Sequence, residues 1–190
     1  MMSVPQNRDM PFPVKLLRIV ALVLGIFIFQ QFSSSLGQMV ANRFTYRSVD
    51  PNGVFMWISV HHIVQAAVAL IPIIFLSIYA KLDFGFRAGK KKIGFKFVGF
   101  ATLGIIIYMI ISYLIGYHFD LLSPYYYPLN LRNIMGSFAF QLILTGPSEE
   151  ILFRALPITI LAVFMKNDAS KKVPIATIIA AALFSIAHIN

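Results

Sequence analysis

Residues 98–117 read VGFATLGIIIYMIISYLIGY and contain no charged side chain. A helix that spans a bilayer needs about 20 mostly apolar residues, so this stretch is long enough to cross a membrane. The whole chain agrees, because 58% of its 190 residues are hydrophobic and only 12% are charged. A small soluble domain has too much surface for its volume to bury so much apolar area. The sequence therefore predicts an integral membrane protein and excludes a soluble enzyme or a disordered tail.

Apolar stretches of spanning length recur along the chain. The predicted fold class is an all-α, polytopic transmembrane helical bundle with about five spans. The predicted spans are 16–35, 54–79, 98–117, 133–165 and 173–189.

The first span has two interpretations. Its basic head at Lys15 and Arg18 and its small residues at Ser33–Ser35 are typical of a signal peptide. However, Gln30 and Gln31 interrupt the tail and no A-x-A cleavage site follows, which favours a retained membrane anchor.

The cations are distributed unevenly between the connections. Three precede or begin span one, six lie between spans two and three, and three lie between spans four and five. These twelve of the 16 cations would lie on one side of the membrane, and the positive-inside rule then predicts a cytoplasmic N-terminus. The net charge of +9 is therefore assigned to topology and to lipid headgroups, with no nucleic acid as partner. The absence of cysteine excludes disulfides, thiolate metal sites and a cysteine nucleophile.

Three charged residues lie inside the fourth span. They are Glu149, Glu150 and Arg154, and each would cost about 2.5–3.5 kcal/mol at the centre of a lipid-facing helix. We therefore expect them to face protein or water and to have partners. Glu150 and Arg154 are four residues apart, which favours an ion pair. Glu149 points about 100° away, so its carboxylate is free for another role. We also expect Gly146–Pro147 to break or start a helix here.

His188 lies near the end of the fifth span. Glu149 lies 17 residues before Lys166 and His188 lies 16 residues after Lys172, so a hairpin of spans four and five places both at matching depth. A lone histidine in an apolar helix is usually a packing residue, but a carboxylate and an imidazole at one depth can act together as a general base. In span two, His61 and Gln65 are candidates for polar packing, cavity lining or, less favoured, catalysis.

The sequence Glu149-Glu150-x-x-x-Arg154, followed by Phe184-x-x-x-His188, resembles the CPBP family. That family comprises type II CAAX prenyl endopeptidases and Abi-type bacteriocin-processing and immunity proteins of bacterial membranes. The resemblance divides the chain into an N-terminal membrane region, 1–130, with three predicted spans, and a partial CPBP-like catalytic core, 131–190.

The resemblance implies an intramembrane endopeptidase in which Glu149 and His188 are catalytic and activate water. Glu150, Arg154 and Phe184 would support the site. The family's third motif, HxxxN or HxxxD on a later helix, does not follow His188 in this sequence. The missing motif favours either a truncated chain or the alternative function, a non-catalytic membrane protein for bacteriocin immunity or regulatory binding.

Cofactor, partners and location follow from the same resemblance. No cofactor is required in the preferred mechanism, but zinc is a second option with Glu149, Glu150 and His188 as candidate ligands. The expected partners are the lipid bilayer and a CAAX-like, leader-bearing or bacteriocin-like peptide or protein substrate. The expected location is a bacterial plasma membrane. In this topology the site lies nearer the outer face, although a CAAX-type endopeptidase is expected to open toward the cytoplasm.

Overall fold

The computed structural model describes residues 11–86, 91–124, 126–165 and 174–189. Within these ranges all regular structure is helical, which confirms the all-α prediction. The helices are α1 (Phe12–Ala41), α2 (Met56–Tyr79), α3 (Lys91–His118), a continuous α4 over 131–165, and α5 (Ile175–Ala187).

The helices differ in whether they can cross a membrane. Of those described, α1, α2 and α3 are long and apolar enough to span one, α3 over Lys92–His118. The 13 residues of α5 extend for roughly 20 Å, which is less than the hydrocarbon core of a bilayer. The described part of the predicted fifth span is therefore shorter than a full crossing.

Helix α4 alternates between α and π geometry. The π-helical turns are Phe140–Thr145 and Glu150–Ala155, and each ends two residues before a proline, Pro147 or Pro157. A proline ring crowds the preceding turn, and a wider turn relieves that contact. An α-helical segment starts at Gly146, as one form of the prediction has it, but the chain does not break there, because the π turn lets the helix continue through the proline.

The chain forms two compact units. One combines the described parts of 1–84 and 129–190, and holds α1, α2, α4 and α5. The other, Gly85–Pro128, holds α3, whose side chains are almost all exposed within the chain. The predicted division at residue 130 stays a prediction.

The core of the first unit lies where its four helices meet. Leu152 and Leu161 of α4 are fully buried, Leu161 in one cluster with Ile26 of α1 and Leu183 of α5, and Leu152 in another with Ala69 of α2. Helices of membrane proteins associate through such close packing, because lipid tails are as apolar as the side chains they would contact. The packing therefore fixes α4 and α5 against the α1–α2 pair.

A buried carboxylate organises the connection between α1 and α2. Asp50 accepts hydrogen bonds from the backbone N–H groups of Val54, Phe55 and Met56 at 2.7–2.9 Å. Burial raises the pKa of Asp50, but the hydrogen bonds from Met56, Val54 and Phe55 outweigh it, so the pKa lies below its ordinary value of 3.8. The ionised carboxylate thus caps the free N–H groups at the start of α2.

A glycine permits the close approach of α1 to α2. A Cβ atom at Gly37 would lie 2.8 Å from the carbonyl oxygen of His61 and 3.0 Å from its Nδ1. We expect Gly37→Ala to lower the free energy of unfolding by about 1–3 kcal/mol, because the helices must separate to admit the methyl group. Unfolding in detergent micelles would measure this loss. Gly25→Ala on the same helix is the control, since no atom lies within 4 Å of its added Cβ. Equal losses in both variants would contradict this packing.

The cation distribution predicts the orientation of α2. Val49 precedes the helix and Ala80 follows it, and both are exposed. Because the chain has no cysteine, Val49→Cys and Ala80→Cys each create a single thiol. With a cytoplasmic N-terminus, an impermeant maleimide should label position 49 in intact cells and position 80 only after permeabilisation. The reverse pattern would contradict the predicted orientation.

Candidate functional site

A polar cavity of about 310 Å³ lies within the first unit. All four of its helices or their ends contribute to the walls, and most of the contributing side chains are polar. The lining residues are Gln30, Gln31, Ser34, Gln38, Trp57, Ile58, His61, His62, Gln65, Glu149, Phe153, Ala187 and His188.

The two predicted catalytic residues meet in this cavity. Glu149 Oε1 lies 3.8 Å from His188 Nε2, and the side chains are 27% and 48% exposed, respectively. The distance is longer than a direct hydrogen bond and fits a pair that is bridged by one small group. The packing of α4 against α5 thus joins two residues that are 39 positions apart in sequence.

The hydrogen bond at the other ring nitrogen sets the tautomer of neutral His188. Its Nδ1 lies 2.8 Å from the carbonyl oxygen of Phe184. A carbonyl can only accept, so Nδ1 carries the proton and donates it. Nε2 of the neutral ring is then a lone-pair acceptor on the side of Glu149.

Two phenylalanines surround the imidazole. The centroid of Phe184 lies 4.3 Å from that of His188, and Phe153 lies 5.7 Å from it. Phe153 is 6% exposed and also contacts Phe184 edge to face. Phe184 is part of the quoted motif, but sequence reasoning did not assign Phe153 to the site. Its position four residues after Glu149, on the same helix face, is the signal that could have found it.

Ser148, the residue before Glu149, joins α4 to α2 through a hydrogen bond with His62. Its hydroxyl oxygen lies 2.7 Å from His62 Nδ1 and 3.1 Å from the carbonyl oxygen of Thr145. Because that carbonyl only accepts, the Ser148 hydroxyl donates to it and accepts from the N–H of His62. Its position in sequence marks Ser148 as a candidate helix cap and not as a site residue, and its almost complete burial becomes visible only in the fold.

The other polar residues of α2 line the same cavity. His61 and Gln65 are 7% and 6% exposed, and the His61 ring stacks on Trp57 at a centroid distance of 5.4 Å. This agrees with the cavity-lining alternative for these two residues.

Glu150 and Arg154 lie outside the cavity lining. Arg154 Nη1 is 3.0 Å from Glu150 Oε2, and both side chains are more than half exposed within the chain. The ion pair expected from their spacing is present, and it cancels two of the three charges of this helix. Glu149 is left as the carboxylate of the motif that faces the cavity and His188.

The candidate zinc ligands are not gathered around one point in the described ranges. Catalytic zinc usually has three protein ligands, and no group of three or more His, Cys, Asp or Glu side chains in the described ranges is placed to hold a metal ion. Glu150 is engaged with Arg154, which leaves Glu149 and His188 as two of the three candidate ligands. Both the metal-free mechanism and the zinc alternative stay predictions.

The fold and the cavity define a helical membrane protein with a carboxylate–imidazole pair inside the bundle. Residues 131–190 match the family model of type II CAAX prenyl endopeptidase Rce1-like proteins. This match confirms the resemblance to the CPBP family over the segment that contains Glu149 and His188. Searches of curated proteins and of solved structures give no significant match.

Proposed function

We propose that the protein is an intramembrane endopeptidase of the CAAX-protease type. The observation that carries the proposal is the 3.8 Å separation of Glu149 Oε1 and His188 Nε2 in a polar cavity between apolar helices. The family match over 131–190 supports the same class of reaction.

The geometry of the pair supports activation of a water molecule. Ionised Glu149 and neutral His188 both present acceptors, so a water between them donates a hydrogen bond to each and directs its lone pairs outward. Attack on a peptide carbonyl forms the C–O bond while Glu149 takes the proton. Collapse of the tetrahedral intermediate breaks the C–N bond, and this proton passes to the leaving amine. Water and the peptide bond thus give one carboxylic acid and one amine, and Glu149 returns to its starting state.

The aromatic packing has a role in this mechanism. Phe153 and Phe184 hold the imidazole plane, while the Phe184 carbonyl holds its tautomer. A fixed ring does not have to reorient while the water molecule is activated.

The substrate is a peptide or protein associated with the membrane, of the CAAX-like, leader-bearing or bacteriocin-like kinds. The proposed location is the plasma membrane of a bacterium, with the N-terminus in the cytoplasm. The assay that tests the proposal uses the purified chain in liposomes with a farnesylated peptide that ends in a CAAX motif, and with its unprenylated twin. Mass spectrometry in ¹⁸O-labelled water should find a cleaved peptide with one labelled carboxylate oxygen. Binding of both peptides without cleavage would contradict the proposal and support a non-catalytic binding protein.

A metal-independent reaction is the proposed mechanism. We expect cleavage in liposomes to change less than about twofold when EDTA or 1,10-phenanthroline is added, because Glu149 and His188 activate water without a third ligand. A known zinc protease in the same liposomes is the positive control. Loss of cleavage with chelator and its recovery with zinc would overturn the metal-free mechanism.

A further inference from the structure

The α1 wall of the cavity contains a buried amide whose orientation is fixed. Gln30 is 1% exposed, and its Nε2 donates to the carbonyl oxygen of Leu152 at 3.4 Å. In a π turn that carbonyl would pair with the N–H five residues later, but that residue is Pro157, which has none. Gln30 supplies the missing donor. Its Oε1 is consequently the free end of the amide, and it has no hydrogen-bond partner among the described residues.

The α2 wall contains a second unpartnered group. His61 Nδ1 is buried against Gly37 and also lacks a partner among the described residues. An unpaired buried N–H is more costly than an unpaired acceptor, so the ring proton resides on Nε2. Because His61 lines the cavity, its Nε2–H is the donor that this residue can present there. Together with the acceptor on Gln30 it complements the C=O and N–H of a peptide unit.

The composition of these walls indicates what kind of ligand fits. The residues that α1 and α2 contribute are glutamines, a serine, two histidines, a tryptophan and an isoleucine, none of them a permanent charge. The volume of about 310 Å³ lies at the lower end of ligand-binding pockets and suits a short segment of chain. Inside a membrane, a peptide that leaves its helix needs new partners for its backbone groups.

We propose that this face of α1 and α2 binds the main chain of an extended peptide beside Glu149, with Gln30 accepting a backbone N–H and His61 donating to a backbone carbonyl. The inference rests on the proposed endopeptidase function and adds the part of the substrate that is recognised. The choice of substrate then depends mainly on whether a peptide segment can unwind, and less on the side chains of that segment.

The test measures binding without turnover. The full chain carrying Glu149→Gln is placed in detergent micelles, and the Kd of the farnesylated CAAX peptide is measured by fluorescence anisotropy. A series of peptides with one N-methylated backbone nitrogen each removes one N–H at a time and leaves the protein unchanged. We expect one position to weaken binding about tenfold, the size of one buried hydrogen bond.

A thermodynamic cycle that combines a Gln30 variant with the N-methylated peptide assigns that hydrogen bond to Gln30. In the Gln30→Met protein the same N-methylation should change Kd less than about twofold. Gln141→Met is the matched control, because Gln141 is exposed and does not line the cavity, and it should keep the tenfold effect. Thermal melting by circular dichroism checks that each variant folds.

The outcomes separate this inference from the proposed function. An equal effect of N-methylation with and without Gln30, no sensitive position, or no binding of any peptide would overturn the main-chain site. Cleavage by the wild-type chain together with any of these results would leave the endopeptidase function standing. If N-methylation weakens binding only when Gln30 is present, and the wild-type chain cleaves no peptide, the main-chain site stands and the proposed endopeptidase function is overturned.

Discussion

Glu149→Gln should lower the initial rate of peptide cleavage by about 10²–10⁴-fold, the range that general-base catalysis contributes. Glutamine has nearly the shape of glutamate, so the cavity beside His188 keeps its volume. Its amide cannot take a proton from water, and its NH₂ group replaces an acceptor by a donor. The loss should therefore appear in kcat, with KM changed much less. Initial rates in liposomes over a range of peptide concentrations would measure both constants.

Glu150→Gln is the control for this prediction. It removes a carboxylate from the adjacent position, but that carboxylate pairs with Arg154 and does not line the cavity. We expect Glu150→Gln to lose far less activity than Glu149→Gln. Comparable losses, or cleavage by Glu149→Gln at the wild-type rate, would show that Glu149 is not the base.

His188→Ala should reduce cleavage by about 10²-fold or more. The substitution removes the Nε2 acceptor that lies 3.8 Å from Glu149 and leaves the water with one partner. It also removes the ring that Phe184 and Phe153 contact, so the peptide-binding affinity and the melting temperature should be measured with the rate. His188→Gln keeps a polar side chain and separates the loss of the imidazole from the loss of volume.

His118→Ala is the matched control for His188. This histidine ends α3 and does not line the cavity, so its removal should leave the cleavage rate unchanged. Cleavage at the wild-type rate by both His188→Ala and His188→Gln would contradict a catalytic imidazole.

Much of the fold could be predicted from the sequence, because hydrophobic length alone separates membrane helices from other classes. Residues 98–117 and the first two apolar stretches are long enough that no soluble alternative competes. The path of the chain at Pro147 could not be predicted in this way. A proline favours a break in an α-helix, and whether a π turn absorbs it depends on neighbouring helices that the local sequence does not specify.

The candidate site, too, could be predicted only in part from the sequence. Glu149 and His188 stand out in sequence because ionisable groups are costly in apolar helices and demand a partner. Gln30 and Ser148 do not stand out as site residues, because neutral polar side chains are less costly in an apolar helix than charged ones. Their importance arises from contacts with Leu152 and His62 over 122 and 86 positions of sequence, and such separations are visible only in the folded chain.

The central claim is that Glu149 and His188 activate one water molecule as a single unit. The most direct test is the cleavage rate of the Glu149→Gln/His188→Gln double variant beside the two single variants in the same liposomes. Groups that act as a unit have non-additive losses, so the double variant should be about as slow as Glu149→Gln alone. Losses that multiply in the double variant would show two independent contributions and would contradict the shared water.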